Sequence, residues 1–274
     1  MRRNNGDMKT SPAIRRSLIG LCVLAVAGAA FVVSGAAGPM FWKMQWPKTD
    51  ISRTSVDLGE IRSGGPGKDE IPAIVFDRRV GKRVLDFGTT GNLRKSDMVM
   101  YDRQTESWWQ QFLGEAIIGE LMGARLKMVP DRVESFARFA ARAPSGKVLV
   151  PTGDVRRAYG SNPYVGYDSS SRPFLYRGDL PKGIAPLAYV LAVGQEAWSL
   201  DLVRRSKRIE NGDLVITWQP GQASALDQEE IHAGRDIGDV VVQRKPPKGL
   251  IDEVHDLTFA FVFHASAKGG TLHK

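Results

Sequence analysis

From Ile71 onward the chain alternates short apolar runs with breaks at Gly, Pro, Asp and Asn. Seven of these runs have strand length and are rich in branched or aromatic residues, which favours β-strands: DMVMYD, AIIGEL, ARLKMV, KVLV, AYVLAV, DLVITW and DVVVQR. The pieces AIVFDRRV and GKRVLDFG predict a hairpin that turns near Gly81 and Lys82. Many short strands with few helices predict a mainly β fold, a sandwich or barrel-like domain with one or two short helices.

One segment has helical spacing instead. From Asp131 to Ala143 the apolar side chains of Val133, Phe136, Phe139 and Ala140 recur on one helical face, and a proline follows. This spacing predicts an amphipathic helix.

Near the C-terminus, LTFAFVFHA has the most regular period of two in the chain, and it predicts a strand. Its two faces carry Leu257, Phe259, Phe261 and Phe263 on one side, and Thr258, Ala260, Val262 and His264 on the other. The first face is expected in the core. The second, with smaller side chains, is expected to pack against another layer or to line a cleft.

The N-terminal region contains no charge from residue 17 to residue 38. A helix of this length rises about 33 Å, enough to cross a bilayer. Basic residues precede it and Trp42 and Trp46 follow, so we expect a membrane anchor over residues 17–42 with a cytoplasmic tail at 1–16. The alternative is a signal peptide cleaved near Ala36-Ala37, which gives a secreted or periplasmic protein. Both interpretations place the rest of the chain outside the cytoplasm.

The remaining chain divides by composition. Residues 43–71 are polar and include RSGGPGKDEIP, which predicts a linker or extended arm. Residues 72–265 then form the predicted β-rich domain, and residues 266–274 a tail.

Charge and cysteine content limit the possible functions. Of the formal net charge of +8, the first 50 residues contribute seven basic groups against two acidic ones, so the rest of the chain is nearly balanced. We therefore expect no nucleic-acid partner. Cys22 is the single cysteine, and the four histidines lack ligand spacing, so the sequence predicts no metal site or cofactor.

The densest candidate chemistry lies in SDMVMYDRQTESWWQQ. Asp102 and Glu106 are four residues apart, so we expect them to share a face, and a partly buried carboxylate pair can perform acid–base catalysis. We take Asp102 and Glu106 as the candidate catalytic pair. The candidate substrate-binding residues are aromatic or cationic: Tyr101, Arg103, Trp108 and Trp109.

A structural interpretation of the same stretch is also open. Arg103 would then pair with a carboxylate, while Thr105 and Ser107 would satisfy a turn. At least one of the two tryptophans would belong to the core.

The run FGTTGNLRKSDMVMYDRQTESWWQQFLGEAIIGELMGARLKMVP closely resembles the signature of the bacterial and archaeal family of domain of unknown function 3179. The similarity extends back through VFDRRV and forward through LVITWQPGQASAL and DLTFAFVFHA, over residues 48–265. The resemblance implies no defined activity, because the family has none established.

The chain departs from that family at one point. Similar proteins carry several dozen residues, including a Tyr-Cys-Pro-Leu-Cys motif, where Ile74 here runs directly into Val75. Metal or redox chemistry based on such a cysteine pair is therefore not expected in this chain. We expect the shortened sheet to have an open edge or an unfilled core.

These observations favour a membrane-anchored, extracytoplasmic binding or structural module over an enzyme. One alternative is a hydrolase-type enzyme acting on an exported substrate such as a glycan through the carboxylate pair. The other is a metal-binding protein that uses His255, His264 and nearby acids.

Overall fold

In the computed structural model, the described residues are 55, 61–63, 74–148 and 162–274. The first half of the chain builds a five-stranded sheet from β1 (Ile61–Ser63), β5 (Phe87–Arg94), β6 (Asp97–Asp102), β7 (Trp108–Gln110) and β8 (Glu115–Ile118). The strands are antiparallel and lie in the order β1-β5-β6-β7-β8.

The same half of the chain also forms two small antiparallel strand pairs. Strand β2 (Val75–Asp77) pairs with β9 (Lys127–Val129), and β3 (Arg79–Val80) pairs with β4 (Arg83–Val84). The second pair is the predicted hairpin with its turn at Gly81-Lys82, where Gly81 adopts a φ of 59°. That prediction is confirmed.

The second half of the chain builds two four-stranded sheets. The strands of the first are β10 (Tyr189–Val193), β11 (Glu196–Ser199), β16 (Asp256–Phe259) and β17 (Thr271–His273), in the order β16-β10-β11-β17. Those of the second are β12 (Arg208–Asn211), β13 (Leu214–Gln219), β14 (Asp239–Arg244) and β15 (Ile251–Asp252), in that order. Only β11 and β17 pair in parallel among the described strands. Strand β17 comes from residues 266–274, the segment predicted as a tail.

The described residues contain three α-helices of seven residues each: α1 (Phe136–Arg142), α2 (Leu200–Ser206) and α3 (Ala260–Ser266). The predicted helix from Asp131 is therefore present but starts at Phe136. Its apolar face is not buried, since Phe136 is 69% exposed. Polar contacts from buried Asp239 hold α1 instead, because this carboxylate accepts from the Ser135 backbone N–H at 2.7 Å and pairs with Arg138 at 2.6 Å.

A large core cluster of described residues lies between the two C-terminal sheets. Leu191 and Trp198 contribute to it from one sheet, and Ile216 and Val242 from the other. Helix α2 adds Val203, which is fully buried. Burial of this apolar surface supplies the main force that holds the two sheets together.

The strand predicted for LTFAFVFHA is wrong beyond Phe259. Strand β16 ends there, and Ala260 begins helix α3, whose first backbone N–H groups donate to Ala188 and Pro186 carbonyls at 2.9 Å. The alternating pattern predicted a strand there because apolar residues occupy both faces of the run. A short segment of this kind fits a buried helix as well as a strand.

The prediction of a β-rich fold is confirmed, with open sheets and, in the described part of the chain, three short α-helices where one or two helices were expected. The predicted anchor or signal helix at residues 17–42 lies outside the described residues. Within the described part of the chain, no helix is both long and apolar enough to cross a membrane.

Candidate functional site

The predicted carboxylate site lies in the loop that joins β6 to β7. Two backbone hydrogen bonds close this loop: Asp102 donates to the Ser107 carbonyl at 3.1 Å, and Glu106 donates to the Asp102 carbonyl at 2.9 Å. Glu106 adopts a left-handed backbone with a φ of 56°, which is uncommon outside glycine. The loop is therefore tight, and Asp102 is at its base.

The Asp102 carboxylate is fully buried and accepts hydrogen bonds from three groups. The Thr105 backbone N–H lies at 2.6 Å, the Thr105 hydroxyl at 2.8 and 2.9 Å from the two oxygens, and the Trp109 indole N–H at 2.9 Å. These bonds fix the loop to the core indole. The carboxylate thus has a structural task in this state, and its predicted catalytic role with Glu106 stays a prediction.

The other predicted residues divide between core and surface. Trp108 and Trp109 are fully buried, so stacking on a ligand would require them to become exposed. Arg103 is exposed, pairs with Asp86 at 2.9 Å and donates to the Tyr101 hydroxyl at 3.0 Å. These are the contacts of the structural interpretation, in which Arg103 pairs with a carboxylate and a tryptophan belongs to the core.

A cavity large enough for a small molecule lies in a different region of the structure. A cavity of about 880 Å³ lies between the β5–β6 turn, the loop at residues 175–181, and helix α3 with the turn that follows it. Its volume falls within the range of about 300–1,000 Å³ that is typical of small-molecule sites. The stretch that contains the predicted carboxylate site touches this cavity at its first residue, Ser96.

The floor of this cavity is apolar. Ala260, Phe263 and Ala267 of the α3 region line it and are buried in a core cluster, against which Leu272 also packs. Leu93 of strand β5, only 6% exposed, lines it as well.

The rim of the cavity is basic. Lys95, Arg177 and Lys268 line it against a single acidic residue, Asp179, and His264 adds an imidazole. A cavity with an apolar floor and a cationic rim can hold a ligand that is part hydrophobic and part anionic.

Backbone strain is concentrated at the same place. Five described residues other than glycine have a positive φ, and three of them line this cavity: Lys95 at 55°, Ser96 at 68° and Leu175 at 55°. Such a backbone is an outlier for a side chain as bulky as that of leucine. Strained residues of this kind cluster at binding and catalytic sites, where the surrounding structure maintains them.

A smaller cavity of about 460 Å³ is also lined by basic residues, and one of them, Arg235, pairs with a buried carboxylate behind it. Its Arg235 lies 2.7 Å from the buried Asp168 carboxylate, which also accepts from the Ser224 hydroxyl at 2.6 Å. The Tyr189 hydroxyl lies 3.3 Å from Ser224, and burial raises the pKa of this phenol to about 12. This network joins loops to strand β10, so we assign it a structural role.

One further carboxylate has an unusual environment. Burial, and secondly the neighbouring Asp131 carboxylate, raise the pKa of Asp256 from its ordinary 3.8 to about 7. Burial also raises the pKa of Asp131, against the opposing effect of His255. These residues line neither of the two cavities described above.

The described residues contain no group of three or more His, Cys, Asp or Glu side chains that could hold a metal ion. Of the two histidines in the metal hypothesis, His255 contacts the Glu253 carbonyl through Nδ1 at 2.9 Å, while His264 lines the larger cavity.

Sequence reasoning found only parts of this cavity. The smaller face of LTFAFVFHA was expected to pack against another layer or to line a cleft, and two of its residues, Ala260 and His264, do line the cavity. They do so as successive turns of a helix rather than as alternate positions of a strand. The loop containing Arg177 gave no local signal.

Comparison with known families gives a match. The model of the family described as "Protein of unknown function (DUF3179)" matches residues 72–273, which include every residue of the cavity. Neither the curated proteins nor the solved structures contain a match to this chain.

Proposed function

The chain belongs to the DUF3179 family of proteins of unknown function, and we propose that it is an extracytoplasmic binding module whose ligand occupies the 880 Å³ cavity beside helix α3. We further propose that residues 17–42 tether it to the membrane. Support for the location comes from the uncharged run at residues 17–38 and the basic residues before it.

The observation that carries the binding proposal is the coincidence of cavity and strain. Lys95, Ser96 and Leu175 each hold a left-handed backbone on the wall of the same cavity. A purely structural turn between β5 and β6 would be more stable with Asn-Gly at its two central positions. A two-residue hairpin turn requires a left-handed backbone at both central positions, so the fold accounts for the geometry of Lys95 and Ser96. A task at the cavity is the better explanation for the use of lysine and serine there, and for the left-handed backbone of Leu175.

A binding role is favoured over catalysis by the groups on the cavity wall. Cations and apolar side chains line the cavity together, whereas Asp102 and Glu106, the predicted acid–base pair, do not line it. Asp102 already accepts from Thr105 and Trp109. No second function has comparable support.

The test is uptake of a neutral apolar dye, N-phenyl-1-naphthylamine, by the full chain in lipid nanodiscs. His264 is exposed on α3 at the cavity, so His264→Trp fills the opening without removing a core side chain. We expect saturable binding of one dye per chain to the wild type, weakened at least tenfold in His264→Trp. Ser206→Trp, which adds the same bulk at an exposed position of α2, should bind the dye as the wild type does.

The proposal is overturned if dye fluorescence in wild-type nanodiscs does not exceed that in empty nanodiscs. It is also overturned if His264→Trp binds the dye as tightly as the wild type, because the dye would then occupy another place.

A further inference from the structure

We infer that the ligand of this cavity is a single-chain amphiphile with an anionic head group. The inference rests on the proposed binding function and adds to it the chemical class and the orientation of the ligand. Its evidence is that the buried residues lining the cavity are all apolar, whereas Arg177 and Lys268 line it as exposed cations.

The floor accepts a hydrocarbon chain. Phe263 and Ala267 belong to the buried cluster beneath α3, and Leu272 packs against that cluster from strand β17. A polar ligand group pressed against these side chains would lose its hydrogen bonds to water without gaining others. An apolar chain loses nothing there and removes its own surface from water.

The rim accepts an anion. Arg177 and Lys268 are exposed and make no hydrogen bond or ion pair with another described residue, so their charges are available to a ligand. Arg177 presents a planar fork of donors that suits a carboxylate or phosphate. Asp179 is the one acidic residue against Lys95, Arg177 and Lys268, which disfavours a cationic head group.

The strained segments connect these two regions. The Ser96 hydroxyl donates to the Phe174 carbonyl at 2.5 Å, which joins the β5–β6 turn to the residue before Leu175. On the same turn, Lys95 Nζ lies 3.4 Å from the Ala265 carbonyl of α3. The turn thus spans the cavity wall and places an ammonium group beside the apolar floor, as an amphiphile with an anionic head requires.

The experiment measures displacement of bound N-phenyl-1-naphthylamine from the full chain in nanodiscs by four probes. Octanoate has both chain and anionic head, octan-1-ol has the chain with a neutral head, octyltrimethylammonium has a cationic head, and acetate has the anionic head with almost no chain. We expect octanoate to displace the dye at a concentration at least tenfold below that of octan-1-ol. Octyltrimethylammonium should be weaker still, and acetate should displace nothing.

The double variant Arg177→Gln/Lys268→Gln tests the head-group assignment. Both positions are exposed, so the fold should survive, and dye affinity should be unchanged because the dye is neutral. The preference for octanoate over octan-1-ol should fall to within about twofold. A matched pair of exposed arginines on α2, changed in Arg204→Gln/Arg205→Gln, should keep the full preference.

The outcomes separate the two proposals. If the dye binds and is blocked by His264→Trp, but octanoate and octan-1-ol displace it equally, the ligand class is wrong and the binding site stands. The class is also wrong if acetate alone displaces the dye or if the double variant retains the preference. If the dye does not bind, the binding function itself fails, and the ligand class fails with it.

Discussion

Replacing Asp102 by asparagine removes one acceptor from a fully buried group while keeping its shape. One carboxylate oxygen receives the Thr105 backbone N–H at 2.6 Å, and the other receives the Trp109 indole N–H at 2.9 Å. Asparagine has a single acceptor oxygen, and its NH₂ group would face a donor on whichever side it occupies. One of these buried donors therefore loses its partner.

The expected cost follows from those contacts. Leaving a buried donor without an acceptor costs about 1–3 kcal/mol, and hydrogen bonds to a charged acceptor lie toward the upper part of that range. The loss of a buried charge offsets a part of this cost. We therefore expect the free energy of unfolding to fall by about 2 kcal/mol in Asp102→Asn, with loosening of the loop around Trp109.

The assay is urea unfolding of the purified protein, followed by tryptophan fluorescence and near-ultraviolet circular dichroism. Asp86→Asn is the matched control, because Asp86 is exposed and its pair with Arg103 lies at the surface. Such pairs contribute at most about 1 kcal/mol. The structural account of Asp102 is refuted if Asp102→Asn unfolds at the wild-type urea concentration with an unchanged near-ultraviolet signal.

Three further changes have expected outcomes. The pKa of Asp256 is raised to about 7, which means that ionisation of this carboxyl group disfavours the folded state. The stability contributed by the protonated group is therefore present below pH 4 and is lost as the pH rises through 7. Asp256→Asn should raise the free energy of unfolding at pH 8 by at most about 4 kcal/mol, since each pKa unit corresponds to about 1.36 kcal/mol. At pH 3.5 the same variant should unfold with the wild-type free energy. An unaltered pH dependence of the urea midpoint would contradict this. Gly238→Ala should destabilise the protein by more than about 2 kcal/mol in thermal unfolding, because a Cβ at this φ of 78° would lie 2.1 Å from Trp218 Nε1. Leu175→Gly should leave the free energy of unfolding unchanged or raise it by up to about 1 kcal/mol, because it relieves the left-handed backbone of a leucine that is 42% exposed. The same variant should weaken dye binding. A clear loss of stability would show that Leu175 is not strained.

The fold was predictable where a strand-length run is rich in branched residues or where a turn has its own signal. Gly81 marked the β3–β4 turn, and strands such as β13 and β14 follow runs of branched residues. At residues 260–266 prediction failed, because Ala260, Phe261 and Phe263 are all buried and burial on every side removes the period that distinguishes helix from strand.

The candidate site was less predictable, because its parts are distant in sequence. The β5–β6 turn and helix α3 lie about 170 residues apart, as the contact from Lys95 to Ala265 shows. No local pattern reports that they share a cavity. The dense stretch around Asp102 looks like a binding site in the sequence because tight loops and binding sites use the same residue types. Sequence spacing also cannot report that Trp108 and Trp109 are both buried.

A crystal structure of the protein grown with octanoate would show directly whether the cavity holds an anionic amphiphile. We expect one octanoate in the cavity beside α3, with its chain against Phe263 and its carboxylate within hydrogen-bonding distance of Arg177 or Lys268. A cavity that contains only ordered solvent at a saturating octanoate concentration, or an octanoate with its carboxylate directed away from both cations, would contradict this expectation.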